Sequence, residues 1–246
     1  EALRNIPLRV FKQANQLGNP DARVILARRD VTSTVGDYAS SHQGMKTGDD
    51  PRYRRFFWEA SGLPDGWILY QTTVSETKPY GGRALILDWR EEGSNLARRQ
   101  GIGAWNQQGV AVNQMGNLSA TLYKGEVYDS NLTAIVPKDS GPLPALWAYC
   151  QTGMFKEELR RIDRSIKVTN SSFEKIPFDL TYWQQIADAS GPLPEPYSND
   201  PTQWLFQGDP AESTDPLQVA VARLAGYQWP QQTDDALTPL ADEDGI

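Results

Sequence analysis

The apolar positions of this chain change period once. Up to residue 137 they fall in short runs broken by glycine-rich turns, and from residue 143 they recur at helical spacing. Strand-like patterns occupy 31–38, 53–58, 67–73 and 83–89, with turns at Pro64-Asp65-Gly66 and Gly81-Gly82 between them. The pattern predicts a short helix over 94–100, with Arg98 and Arg99 facing out, and a twisted antiparallel meander over 110–137, interrupted at Gly116 and Gly125. Beyond it, Leu146, Cys150 and Met154 lie four apart, and Phe155, Leu159 and Ile162 continue the stripe, so 143–164 is one helix or two hinged at Gly153. A basic loop at 165–170, a short turn ended by Pro177 and a helix over 181–189 follow.

The flanks read differently. Residues 1–39 form a connector from an upstream domain, with a short helix or strand at 21–29. Residues 191–246 begin with a proline-rich linker and contain a helix over 217–224, with Asp215 as N-cap, Pro216 at the first helical position and Gly226 as its stop. The expected fold is α+β: a twisted antiparallel sheet packed with helices over 40–190, then a small helical C-terminal segment and an acidic tail.

Composition sharpens this. The chain has 246 residues, long enough to bury a core, and its eight tryptophans call for packing partners. Its single cysteine, Cys150, rules out an intrachain disulfide framework or zinc finger and fits a reducing cytoplasm. No apolar run approaches a membrane span. Beginning at Glu1, the chain reads as a fragment of a longer protein.

The net charge of −7 argues against a nucleic-acid partner until its distribution is considered. From Phe178 onward, twelve acidic residues stand against Arg223 alone, whereas positions 1–177 carry 23 basic and 19 acidic residues. The first two thirds are therefore mildly basic, with local clusters. The strongest is in the stretch 42–59, where a polar turn (Gly44, Thr47, Gly48, Asp49, Asp50, Pro51) runs into Arg52, Tyr53, Arg54, Arg55, Phe56, Phe57 and Trp58. Arginine forks suit phosphates and guanine edges. The same arginines could instead pair with Asp49, Asp50 and Glu59.

Catalytic patterns are weak. His42 is the only histidine, and no nucleophile-elbow serine exists to use it. Gly101 and Gly103 lack dinucleotide-binding spacing, and no Walker lysine motif is present. Asp65, Glu76 and Lys78 match, in letters, the two carboxylates and lysine of Mg²⁺-dependent PD-(D/E)xK nucleases, although Asp65 lies in a Pro-Asp-Gly turn. A nuclease is the second reading, and a protein-interaction scaffold the third.

Taken in order, four segments resemble the target-recognition region of the large adenine-N6 DNA methyltransferases of phage-defence and restriction systems, especially the BREX (phage growth limitation) type and fused restriction-modification enzymes. The first comprises Gly44, Thr47, Gly48, Asp49, Phe57, Trp58 and Glu59. The second is Lys78-Pro79-Tyr80-Gly81-Gly82 with the strand ending at Trp89, and the third is the meander 110–137. The fourth spans 143–178, where Lys167-Val168-Thr169-Asn170 precedes Lys175-Ile176-Pro177-Phe178 as at the end of recognition domains in this class and in specificity subunits. With the spacer-like 200–230, the resemblance covers roughly residues 40–230.

That resemblance implies DNA reading without chemistry. The family's Gly-rich S-adenosylmethionine loop and Asn-Pro-Pro-Tyr motif are missing: Asn19-Pro20 is followed by Asp21, and Asp200-Pro201 by Thr202. The segment is thus expected to need no cofactor and no metal, with S-adenosylmethionine bound by the parent enzyme's upstream methyltransferase domain. Its partners are expected to be double-stranded DNA, that domain and other defence-system proteins, with no membrane. The candidate contacts are Lys46, Thr47, Arg52, Arg54 and Arg55 at phosphates or guanine edges, Asn113, Gln114 and Asn117 at adenine edges, and Lys124, Lys167 and Asn170 around them.

Overall fold

The computed structural model describes residues 33–60 and 63–195, together with the isolated positions 12, 14 and 17. The predicted element at 21–29, residues 196–200 of the linker, the helix at 217–224 and the acidic tail lie outside the described residues. The elements in order are α1 (Val35–Tyr38), β1 (Ala39–Gln43), α2 (Asp50–Tyr53), β2 (Arg54–Phe56), β3 (Trp67–Gln71), β4 (Leu85–Asp88), β5 (Gly109–Asn113), β6 (Ala120–Tyr123), β7 (Val127–Tyr128), β8 (Leu132–Pro137), α3 (Leu143–Cys150), α4 (Gly153–Ile162) and α5 (Leu180–Ser190). The class is α+β. Among the described residues, no helix is long and apolar enough to cross a membrane.

Two four-stranded sheets carry the fold. In the first, β1, β8, β5 and β6 lie side by side in that order, all antiparallel. Strand alternation divides their side chains between two cores. Val110, Val112, Ala120, Leu122 and Ile135 point to a core shared with the helices, while Ala111, Tyr123, Leu132, Ala134 and Val136 form a second core with Tyr128 and Ala104. The second sheet has the order β2-β4-β3-β7; its β3–β7 pair is parallel, and it packs around Met45, Tyr70, Leu87, Leu96 and Val127.

The helices cover one face of the first sheet. Nearly every residue of α3 is buried, as expected for a helix enclosed on all sides. The α4 helix is amphipathic; Thr152 caps it by accepting from the Phe155 N–H at 3.4 Å, and Phe155 and Leu159 are buried. Asp179 caps α5 in the same way through the Tyr182 N–H. Tyr149 ties the three together, its ring centroid 4.8 Å from Trp183, 5.4 Å from Phe155 and 5.7 Å from Phe178.

Several predicted elements are corrected. Residues 35–38 form a helical turn, not a strand, because Asp37 accepts the Thr34 N–H at 2.7 Å and closes the turn locally. The strand predicted over 53–58 shrinks to Arg54–Phe56, since Asp49 and Pro51 start a helical turn before it and Phe57–Glu59 coil into a 3₁₀ turn after it. The helix predicted over 94–100 is absent; that segment is a turn whose Arg98 pairs as a strand with Lys46. The predicted single meander is divided, because Val127–Tyr128 leaves the first sheet to lie beside β3. The helix hinged at Gly153 is two helices, and the helix predicted over 181–189 is α5. At the N-terminal flank, residues 33–35 join the fold: the Val35 N–H donates to Ile176 O at 3.0 Å and the Phe178 N–H to Ser33 O at 3.1 Å.

Candidate nucleic-acid interface

The segment after β1 joins the two sheets. Gly44 passes so close to the β7–β8 turn that a Cβ there would lie 2.1 Å from Asp129 O, so only glycine fits. Met45 then donates its N–H to Tyr128 O at 2.9 Å and buries its side chain in the second sheet's core. Lys46 exchanges backbone hydrogen bonds with Arg98 at 2.9 and 3.0 Å, and Ala97 N–H reaches Thr47 O at 3.0 Å. Alternation along this extended piece turns Met45 and Thr47 inward and leaves Lys46 exposed. Gly48 then turns the chain with φ +86°.

A groove of about 650 Å³ opens along this junction. Its polar lining comes from four separate stretches: Lys46 and Thr47, Arg98 and Gln100, Asn131, and Lys167. Lys46 and Arg98 are exposed, and among the described residues neither side chain has an ion-pair partner. The Lys167 Nζ donates to Ser130 O at 2.9 Å and Asn131 Oδ1 at 3.1 Å, which fixes its ammonium at the rim. Gln100 Nε2 donates to Gly44 O at 2.6 Å, and Gln43 Nε2 to Ser130 O at 3.3 Å.

Acidic groups form one wall. Arg54 bridges two of them, donating to Asp129 Oδ2 at 2.8 Å and also to Asp50, which in turn accepts the Thr47 hydroxyl. Asp49 accepts the Arg52 N–H at the start of α2. Burial, followed by the nearby Asp129 charge, pushes the Tyr70 hydroxyl far above its ordinary range against the opposing pull of Arg54. Thus Arg54 offsets part of the charge of Asp49, Asp50 and Asp129, and among the described residues Lys46, Arg98 and Lys167 form an ion pair with none of them.

The other candidates are dispersed. Arg52 is exposed, its guanidinium 5.1 Å from the Tyr53 ring centroid, and with Tyr53 it lines a separate hollow of about 200 Å³ that does not include Lys46. Arg55 folds back onto the carbonyls of Pro51 and Arg54. Asn113 is taken up by Val74, donating to its carbonyl at 2.7 Å and accepting its N–H at 3.1 Å. Gln114 is buried, with Nε2 donating to Thr133 Oγ1 at 2.8 Å, and Asn170 Nδ2 donates to Ser41 O at 2.8 Å. Asn117 is exposed on the turn between β5 and β6. Lys124 is half-buried in the turn between β6 and β7, where its N–H donates to Glu126 Oε2 at 3.3 Å.

The structure therefore brings together Lys46, Thr47 and Lys167, with Arg54 behind them, and adds Arg98, Gln100 and Asn131. Sequence patterning assigned Arg98 to a helix and passed over its pairing with Lys46. The signal available was the Arg98-Arg99-Gln100 run ending at Gly101, which bends at φ +81° beneath β1. His42 takes no part: its Nε2 lies 3.0 Å from Ser40 Oγ, and burial lowers its pKa despite Glu174. For the nuclease reading, Glu76 and Lys78 meet at 3.8 Å on an exposed loop, and among the described residues no group of three or more His, Cys, Asp or Glu side chains gathers.

No protein-family model matches the chain, and no curated protein does. Among solved structures, it is similar to the HsdS subunit from Thermoanaerobacter tengcongensis, with a TM-score of 0.41 and 16% identity over 87% of this chain. The match takes in 46% of that subunit, so this chain spans less than half its length.

Proposed function

We propose that this chain is a DNA sequence-recognition module, non-catalytic by itself, of a site-specific adenine-N6 DNA methyltransferase in a phage-defence or restriction-modification system. The observation that carries the reading is the groove in which Lys46, Arg98 and Lys167 converge from three distant stretches beside the side-chain amides of Gln100 and Asn131. Cations that fix register on phosphates, next to groups able to read base edges, are what sequence-dependent DNA binding requires. The order of the four family-like segments supports the same reading. In it, methyl transfer and S-adenosylmethionine belong to a partner methyltransferase domain, other defence-system proteins are further partners, and the protein works in the cytoplasm.

Duplex binding measured against salt tests this, with and without Mg²⁺. Binding is expected to depend on sequence, to weaken steeply with salt and to proceed without cleavage. Replacing Lys46, Arg98 and Lys167 together by alanine is expected to reduce the log–log salt slope by about 0.9 for each phosphate no longer neutralised. An unchanged slope in that variant would refute the groove as the interface, and Mg²⁺-dependent cutting abolished by Asp65→Ala would favour the nuclease instead.

A further inference from the structure

Immediately before Lys167 stands Ile166, at 86% exposure the most exposed large apolar side chain among the described residues. Single exposed apolar residues are ordinary on protein surfaces. This one is held on a built support. Asp163, fully buried, accepts hydrogen bonds from the N–H and hydroxyl groups of both Ser165 and Thr169 and from the Ser172 hydroxyl, closing the loop beneath Ile166. On the far side, Val168 is buried and its N–H donates to Gln114 O at 2.8 Å, while Lys167 is pinned to the groove rim. The loop is also tied to the β5–β6 turn through Arg160, which bonds Ser165 O and reaches Gly116 O at 3.3 Å. That turn presents exposed Met115 and Asn117.

A loop so fixed displays its isoleucine between two cations, Arg164 and Lys167, with no acidic residue from 164 to 170. A flat hydrocarbon flanked by positive charges fits a surface whose charges flank stacked apolar faces, which describes a base step between its phosphates. An anionic lipid surface also offers charge and hydrocarbon, but it has no use for the Gln100 and Asn131 amides in the groove that Lys167 lines. We infer that Ile166 enters a base step of bound duplex DNA as an apolar wedge, with Arg164 and Lys167 on the flanking phosphates. The wedge unstacks that step and kinks the duplex away from the inserted side chain. This rests on the DNA-recognition reading and adds deformation to it as a means of selecting sequence.

The test uses the whole chain with a randomised duplex pool, from which bound members are selected and labelled at both ends with a donor and an acceptor dye. Energy transfer reports bending, and anisotropy reports affinity. The wild-type protein is expected to raise transfer, as apolar wedges that unstack a step bend DNA by about 20–90°. Ile166→Ser is expected to keep its thermal midpoint, to bind within about threefold of wild type to unselected duplex, and to lose the rise in transfer, with Ile166→Leu restoring it. Wild-type binding without bending, or full bending by Ile166→Ser, overturns the wedge and leaves the recognition reading standing. No duplex binding by wild type overturns both. Capture on phosphatidylserine vesicles that depends on Ile166, without any effect on DNA, replaces the duplex by a membrane.

Discussion

At the scale of single residues, the arginine cluster separates into roles that its spacing does not reveal. Arg54 is an internal tie whose side chain is only 20% exposed, set between Asp50 and Asp129 and 5.9 Å from the Tyr70 ring centroid. Removing it leaves the nearly buried Asp129 carboxylate without its ion-pair partner, holding only the Asn131 N–H and the Tyr70 hydroxyl, so Arg54→Ala is expected to lower unfolding free energy by roughly 1–3 kcal/mol. Lys46→Ala, which removes a charge with no protein ion-pair partner among the described residues, is expected to change stability by less than about 0.5 kcal/mol. Urea titration of the two variants distinguishes them, and equal losses would contradict the division of labour. Cys150 belongs to the same scale. Burial raises its thiol far above the ordinary value, so reaction with a thiol reagent at neutral pH is expected only after unfolding.

Between residues and the whole molecule lies the loop from Asp163 to Ser172, which positions Lys167. Burial pushes the Asp163 carboxyl up, but the combined hydrogen bonds from Ser165 and Thr169 hold it well below the usual carboxylate range. A depressed folded value means that the stabilisation is fully present above the unfolded value near about 4 and is lost as pH falls from there toward the folded value. Asp163→Asn is therefore expected to be less stable at neutral pH and to show a shallower acid limb in thermal melts taken from pH 6 downward. An acid limb as steep as wild type's would show that other carboxylates carry it. This loop also marks where sequence reading stopped. Its basic character and place before Lys175-Ile176-Pro177-Phe178 were legible, as were the strands at Trp67–Gln71 and Leu85–Asp88 and the helices on either side of Gly153, because those depend on local periodicity. That Asp163 closes the loop, that Asn113 binds Val74 and that Arg98 faces Lys46 are contacts between stretches 6 to 52 residues apart, and no local pattern encodes them.

The groove is a property of the whole molecule, because it exists only where the two sheets are held against each other. At that junction Gly44 crosses the Tyr128–Asp129 backbone, Met45 enters the second sheet's core and Lys46 pairs with Arg98, and further ties join Asn113 to Val74 and Thr121 to Gly81. If it couples the sheets energetically, the aromatic cluster of Trp89 and Trp105 beside the second sheet and the helices covering the first should lose structure together, as in a two-state domain. Tryptophan fluorescence, which reports Trp147 and Trp183 over the first sheet together with Trp89 and Trp105, should then show one urea transition that coincides with far-UV circular dichroism. Gly44→Ala drives a methyl into the Asp129 carbonyl and is expected to cost at least about 3 kcal/mol, the upper end of overpacking effects, while shifting both probes equally. DNA affinity should fall in the same variant, since Lys46 and Asn131 follow the two segments that meet at that crossing and both line the groove. Two separated transitions, or a Gly44→Ala protein with wild-type stability and altered binding, would mean that the sheets are independent and that the groove is assembled by something other than this crossing.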